Sequence, residues 1–385
     1  MKRKIICILL VMASLLTLLF NIKMTVSAEE FNFNAESYLL MDYNSKTILA
    51  KFNESERLEI ASMVKLMTTL ITIEKLESGE LCLDQKVMAS EYACSMEGSQ
   101  AFLDAGEEYT IEELLKSVII ASANDSSVVL SEAIAGTEEN FTALMNEKAK
   151  ALGLKNTHYA NSTGLPSENE QYSCAEDVAK LLCEEIKHEL YFKFSNIWID
   201  EIIHPSGRRT ELVNTNVLIR QYKGVDIGKT GFTDEAGYCL SSSCQKNGMR
   251  LVSVVIGAKS AKDRFSITSN LLNYGFANFE NRKILTVNDN VENKMNLNGK
   301  LKELELEFEN DFYLLVKKGE KSQVNLKYEM NSNIKAPISK GQVLGKVYVV
   351  NEGVIVGEVN ILAKNSISKP SYKDSFKRAL DNFAI

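Results

Sequence analysis

The chain has 385 residues, 45% of them apolar and 25% charged, and carries a formal net charge of −7. A single hydrophobic core stops growing well short of that length, so at least two folding units are expected. The composition is an ordinary globular balance, and its mildly acidic sign gives no reason to propose nucleic acid as a partner.

Met1-Lys2-Arg3-Lys4 precedes an apolar run from Ile5 to Phe20 and the small-residue ending Val26-Ser27-Ala28. This pattern predicts a signal peptide over residues 1–28, export, and cleavage before Glu29. The alternative is an uncleaved membrane anchor, for which the run is short. Seven cysteines occur; Cys7 falls in the leader, and the other six (Cys82, Cys94, Cys174, Cys183, Cys239 and Cys244) show no metal-knuckle spacing and are expected as free thiols.

The main domain, residues 29–283, opens with two predicted strands, Ser37–Tyr43 and Lys46–Phe52, around Asn44-Ser45. From Ser62, apolar residues Met63, Leu66, Met67, Leu70, Ile73 and Leu76 recur at helical spacing until Gly79. Further helices are expected over Ile111–Ile134, Glu138–Leu152 and Ala175–Ile186. Strand texture returns at Val225, and Tyr238–Ser243 and Arg250–Ile256 flank the hairpin signal Asn247-Gly248. Strands bracketing helices make an α+β domain. Residues 284–365 read as a small β domain, with strands over Glu303–Glu309, Phe312–Lys317, Val324–Glu329 and Val343–Val350. In the last segment, 366–385, Tyr372, Phe376, Leu380 and Phe383 share one helical face apart from Lys373, Lys377 and Arg378. That predicts an amphipathic helix at a membrane surface, the alternative being a terminal helix packed on the protein.

Three short motifs bear on chemistry, and each alone is weak. Ser-x-x-Lys recurs along the chain, as at Ser62/Lys65, Ser243/Lys246 and Ser366/Lys369; Ser-x-Asn occurs at Ser122/Asn124 and Ser167/Asn169; Lys-Thr-Gly occurs once, at Lys229-Thr230-Gly231. Context selects among them. Only Ser62 and Lys65 stand at a helix start, where residues three apart share a face. Ser122-Ala123-Asn124 interrupts a helical stretch, whereas Ser167 follows Pro166 in a loop.

In this order the trio is the one found in class A β-lactamases and penicillin-binding proteins. The segments Ile60-Ala61-Ser62-Met63-Val64-Lys65-Leu66-Met67-Thr68, Gly98-Ser99-Gln100, Ala121-Ser122-Ala123-Asn124-Asp125, Asn161-Ser162-Thr163-Gly164-Leu165-Pro166 and Gly228-Lys229-Thr230-Gly231-Phe232-Thr233 resemble the low-molecular-mass penicillin-binding proteins that are serine D-alanyl-D-alanine carboxypeptidases, the peptidase S11 family. The resemblance covers nearly the whole mature chain. Ala123 stands where the family commonly has Gly, and Gly228 where it commonly has an apolar residue.

The resemblance implies a penicillin-binding, serine β-lactamase-like transpeptidase domain, an antiparallel sheet with a helical subdomain, followed by a small C-terminal β domain. It implies removal of the terminal D-alanine from peptidoglycan pentapeptide stems through an acyl-enzyme on Ser62, with β-lactams as covalent inhibitors. Lys65 is the implied general base. A lysine at its usual pKa of about 10.4 is almost entirely protonated at pH 7, so partial burial and a second cation, Lys229, are expected to depress it. The oxyanion hole would use the amides of Ser62 and Phe232. Ser122 would relay a proton to the leaving amine, Asn124 would bind Lys65 and the substrate amide, and Lys229, Thr230, Gly231 and Arg264 would serve the terminal carboxylate. No cofactor or metal is expected, since His158, His188 and His204 lack metal-site spacing. The implied place is the outer face of the cytoplasmic membrane or the cell wall, the amphipathic tail serving as membrane anchor. A serine β-lactamase, or a non-catalytic wall-binding scaffold of the same fold, remains the rival reading.

Overall fold

The computed structural model describes residues 31–291, 304–321, 323–331 and 334–369. The leader assigned to residues 1–28 lies outside them, as do Tyr372, Phe376, Leu380 and Phe383. The described chain divides between Asn278 and Phe279 into two compact units.

The larger unit opens with strands β1 (Ser37–Asp42) and β2 (Ile48–Phe52), paired antiparallel. A single 3-10 turn, Ala61–Val64, then leads into helix α1 (Lys65–Glu77). Every residue of α1 from Lys65 to Ile73 is buried, and the hydroxyls of Thr68, Thr69 and Thr72 within it donate to main-chain carbonyls, as buried polar groups require. Burial of an aliphatic side chain stabilises by about 1.5–3 kcal/mol, so Leu66, Met67, Leu70 and Ile73, all without exposed surface, offset the cost of carrying Lys65 inside. The short strands β3 (Lys86–Met88) and β4 (Glu108–Thr110) pair around the small helix α2 (Glu91–Cys94).

Helix α3 (Ile111–Ala121) starts in a reciprocal capping box between Thr110 and Glu113, which satisfies two otherwise orphaned amides. The helical run expected to Ile134 is broken at Ser122, which adopts φ 64° and ψ 32°, before α4 (Asn124–Ala135) resumes. There follow α5 (Glu138–Ala151), α6 (Ala175–Glu185), α7 (Glu189–Ser195), a two-stranded arm β5 (Ile199–Ile203) and β6 (Arg209–Val213), and the short α8 (Leu218–Gln221). Strands β7 (Val225–Thr233), β8 (Gly237–Lys246) and β9 (Met249–Ala258) then complete a five-stranded antiparallel sheet in the order β2-β1-β9-β8-β7. Helix α9 (Ala261–Asn278) packs on β8 and β9, and α6 also packs on β9. β1 and β9 are therefore almost continuously buried and apolar, the pattern of strands covered on both faces. The edge strand β7 carries Lys229-Thr230-Gly231.

The C-terminal unit begins at β10 (Phe279–Leu285), so a boundary after Lys283 falls inside a strand. It continues through β11 (Leu306–Phe308), β12 (Phe312–Lys317), β13 (Val324–Met330), β14 (Val343–Asn351) and β15 (Val354–Ala363). β10 pairs with β12, and the others form a sheet in the order β11-β15-β14-β13 around Leu285, Phe308, Val347, Val349, Val359 and Ile361. The segment assigned to an amphipathic helix from residue 366 needs correction at its start. Ile367 forms a β-bridge with Ile338 and is buried with it and Leu344, so strand pairing reaches into that segment.

Candidate active site

Ser62 lies in the 3-10 turn and not in the α-helix proper, half-buried, with its backbone wedged from two sides. Ala61 holds φ 45°, a left-handed conformation that costs an L-residue about 1–2 kcal/mol. Against it sits Gly164 at φ 80°, where a Cβ would come 2.0 Å from the Ala61 carbonyl oxygen. On the other side is Gly231 of β7, whose Cβ would come 2.6 Å from the Ile60 carbonyl oxygen and 3.2 Å from the Ser62 amide nitrogen. Only glycine permits this approach of the β7 backbone to the serine.

Lys65, one turn on, has no exposed surface. Its Nζ lies 3.1 Å from Ser62 Oγ, 2.6 Å from Asn124 Oδ1 and 2.5 Å from the Thr163 carbonyl oxygen. A neutral amine has two N–H bonds and one lone pair. If the two donate to Asn124 and Thr163, both pure acceptors at those atoms, the lone pair is left to accept the Ser62 hydroxyl proton. Burial brings the Lys65 pKa down to about 7, against the opposing pull of Asp125 and Glu138, which favour the ammonium. Burial is thus complete, not partial as expected, and it is the main cause; the repulsion between the Lys65 and Lys229 ammonium groups is mutual and disfavours charging both. Burial, Lys65 and Arg264 hold Lys229 well below the ordinary lysine range.

The break at Ser122 gives the third corner. Its left-handed turn lets α3 end and α4 begin with Asn124 facing Lys65, and the Asn124 amide group is fixed through Nδ2 to the Glu97 carbonyl at 2.5 Å. Lys229 Nζ donates to Ser122 Oγ at 2.7 Å and to the Thr230 carbonyl at 2.9 Å. The Thr230 hydroxyl donates to Thr215 Oγ1 at 2.7 Å. From the first turn of α9, Arg264 Nη1 donates to the Gly231 carbonyl at 3.0 Å, and its buried Nε has no acceptor among the described residues. The Phe232 ring is half-exposed and packs on Tyr238.

Eight of the nine residues singled out in the sequence are thus linked, with Phe232 following Gly231 on β7, and the copies at Ser243, Ser366 and Ser167 do not join them. Ser243 accepts a hydrogen bond from Arg250 in the sheet, Ser366 accepts from the Lys340 amide, and Ser167 accepts from the Asn169 amide in a turn.

The sequence profile of the D-alanyl-D-alanine carboxypeptidase family matches residues 23–260. The chain belongs to this family. A second profile, described as the C-terminal domain of penicillin-binding protein 5, matches residues 279–369. Among curated relatives, the D-alanyl-D-alanine carboxypeptidase DacF of Bacillus subtilis (strain 168) is 40% identical over 355 residues, covering 92% of this chain and 91% of its own. DacA of Haemophilus influenzae is 34% identical, covering 90% of each. The crystal structure of penicillin binding protein 5 from Haemophilus influenzae aligns with a TM-score of 0.74 at 32% identity, over 89% of this chain and 100% of its own. The chain is accordingly a serine-type carboxypeptidase with the penicillin-binding-protein fold and a separate C-terminal β domain.

Sequence reasoning passed over several residues of this carboxypeptidase site. Thr163 acts through its main-chain carbonyl, which no side-chain motif announces. Asp125 is buried and accepts from the Ala101 and Leu103 amides, at 2.9 and 3.1 Å, tying the segment after Gly98-Ser99-Gln100 to α4. Thr215 meets Thr230 from the end of the β5–β6 arm, its own amide bonded to the Ile120 carbonyl at 3.1 Å. The turn-rich run Asn161–Pro166 and the Asp after Asn124 were the available signals.

Proposed function

We propose that this D-alanyl-D-alanine carboxypeptidase acts on the stem peptides of peptidoglycan through an acyl-enzyme on Ser62. The observation that carries the reading is the Lys65 amine, fully buried, 3.1 Å from Ser62 Oγ, with acceptors for both of its N–H bonds elsewhere.

Lys65 Nζ takes the hydroxyl proton as Ser62 Oγ attacks the carbonyl carbon of the penultimate D-alanine. The oxyanion that forms is met by the amides of Ser62 and Phe232; each such donor is worth about 3–4 kcal/mol of transition-state stabilisation. The C–N bond then breaks, and the leaving amine receives the proton from Lys65 by way of Ser122, whose hydroxyl is held by Lys229. Water attacks the resulting ester with Lys65 again taking a proton, and Ser62 regains its hydrogen. The free carboxylate of the terminal D-alanine is bound by Lys229, Thr230 and Arg264. Its negative charge restores the proton affinity that burial removes from Lys229. A β-lactam would acylate the same hydroxyl and remain attached after ring opening. We also assign export, with residues 1–28 as the leader, and so a site of action outside the cytoplasmic membrane.

The test is D-alanine release from a synthetic pentapeptide ending in D-Ala-D-Ala, with intact-mass measurement after penicillin exposure. The reading expects release and a single adduct on Ser62, both lost in Ser62→Ala. Penicillin turnover without D-alanine release would favour a β-lactamase, and no adduct at all an inert scaffold.

A further inference from the structure

The acceptor that occupies one N–H of Lys65 is a main-chain carbonyl in a loop, and such an atom is only as well placed as the loop that carries it. Thr163 and its neighbours form a tight turn closed on itself by Asn161, whose Oδ1 accepts from the Thr163 amide, the Thr163 hydroxyl and the Gly164 amide at 3.1, 3.0 and 2.7 Å. On its inner side the Ser162 carbonyl accepts from Thr68 of α1 at 2.8 Å and from Ser127 of α4 at 2.9 Å. On its outer side a single carboxylate grips it. Glu138, the first residue of α5, accepts from both the amide and the hydroxyl of Ser162 through Oε1, at 2.9 and 2.6 Å. Its other oxygen accepts from the Tyr92 hydroxyl at 2.7 Å, so the carboxylate has a fixed orientation.

We propose that Glu138 is a positioning residue for the reaction: through Ser162 it holds the Thr163 carbonyl against Lys65, and it sets a carboxylate on the turn from which that carbonyl reaches the base. The inference rests on the reading of Lys65 as the base.

Three charged groups bear on Lys65 from the elements packed around it: Asp125 on α4, Glu138 on α5 and Lys229 on β7. Glu138 is the one of the three that also touches the turn bearing the Thr163 carbonyl. Glu132, Glu139, Glu170 and His158 line a cavity of about 760 Å³ with Glu138 and Tyr92, so a replacement there has room to relax without entering the active site. The sign follows directly. A carboxylate favours the ammonium, so its removal makes Lys65 easier to deprotonate.

The experiment is the pH profile of kcat/KM for D-alanine release by the wild type, Glu138→Gln and Ser162→Ala, each checked for an unchanged thermal melt. The wild type should show an acid limb with its midpoint near pH 7. Glutamine keeps an acceptor for Ser162 and lacks the charge. Its limb should move to lower pH by about half a unit, a gain of roughly threefold in kcat/KM on the limb. Ser162→Ala keeps the charge and loses part of the grip; its plateau kcat should fall several-fold with the midpoint unmoved. A wild-type profile flat through pH 7 would overturn the base assignment and this inference with it. A wild-type limb that Glu138→Gln leaves in place, or a Ser162→Ala plateau equal to the wild type, would overturn this inference alone.

Discussion

Around α1 the larger unit buries Lys65, Lys229, Asp125 and Asn124, and it holds Ala61 and Ser122 at positive φ. The C-terminal unit, among its described residues, buries Leu285, Phe308, Val347, Val349, Val359 and Ile361 and no charged side chain. The effective cost of taking one ion out of water is several kcal/mol, and each strained residue costs about 1–3 kcal/mol more. Such features persist only where surrounding structure over-determines them, and here the apolar body of α1 supplies that surrounding. The contrast locates the chemistry: one unit carries desolvated polar groups against its own stability, and the other is an ordinary alternating β core.

The sharpest break in that contrast is Ser62→Ala. Deleting the nucleophile should lower D-alanine release by at least about 10⁴-fold, by analogy with other serine hydrolases, while thermal unfolding stays as it was. Activity surviving at more than about a hundredth of wild type would place the reacting group elsewhere.

Lys65→Met comes next, replacing a buried amine by a side chain of similar length with no charge to desolvate. General-base catalysis contributes about 10²–10⁴-fold, so acylation by substrate and by penicillin should slow by that factor. The same variant tests the cost of burial. The folded-state pKa of Lys65, about 7, lies below the roughly 10.4 of a lysine in the unfolded chain. Between those values the unfolded chain binds more protons, so wild-type stability gains with rising pH through that window and bears the full penalty below it. In Lys65→Met that contribution vanishes, a difference on the order of 4 kcal/mol across the window. Denaturant melts of both proteins at pH 6 and pH 10 read it; parallel curves would mean that Lys65 is not desolvated.

Much of this site was legible because its chemistry demands side-chain types at fixed spacing. Ser62 and Lys65 stand one helical turn apart, Ser122-Ala123-Asn124 breaks a helix, and Lys229-Thr230-Gly231 lies on a strand; among the described residues those copies of the motifs meet. What escaped acts through backbone or through distance in the chain. Thr163 offers a carbonyl, and Glu138 reaches Ser162 from the start of another helix. Lys65 owes its shift to a degree of burial that periodicity alone does not reveal. Of the fold, the alternating and apolar strands were visible, but β15 (Val354–Ala363) was passed over because Gly357 and polar Glu358 and Asn360 interrupt its pattern. The charged arm of β5 and β6 was missed for the same reason, since Ile199, Glu201 and Ile203 all face solvent.

From the other side of the contrast, Phe308→Ala should act on stability alone. Phe308 is 2% exposed in the C-terminal core, and truncating a buried phenylalanine costs about 3–5 kcal/mol. The expected result is a lower melting transition for the C-terminal unit, with kcat for D-alanine release unchanged. A parallel fall in kcat would show that the apolar unit contributes to the chemistry after all.

The smallest effect on stability is expected at Ala61, where the strain itself can be relaxed. Glycine adopts φ 45° freely and so recovers about 1–2 kcal/mol. It loses about 0.5–1 kcal/mol through the greater freedom of the unfolded chain and about 0.8 kcal/mol with the buried methyl. The terms nearly cancel, and the melting temperature of Ala61→Gly should stay within about 3 °C of wild type. Its kcat should nonetheless fall several-fold, because Ala61 is the residue whose fixed backbone hands Ser62 to Lys65, and glycine lets that angle wander. An unchanged kcat would mean that Gly164 and Gly231, closing on the turn from both sides, hold the serine without help from the strained alanine.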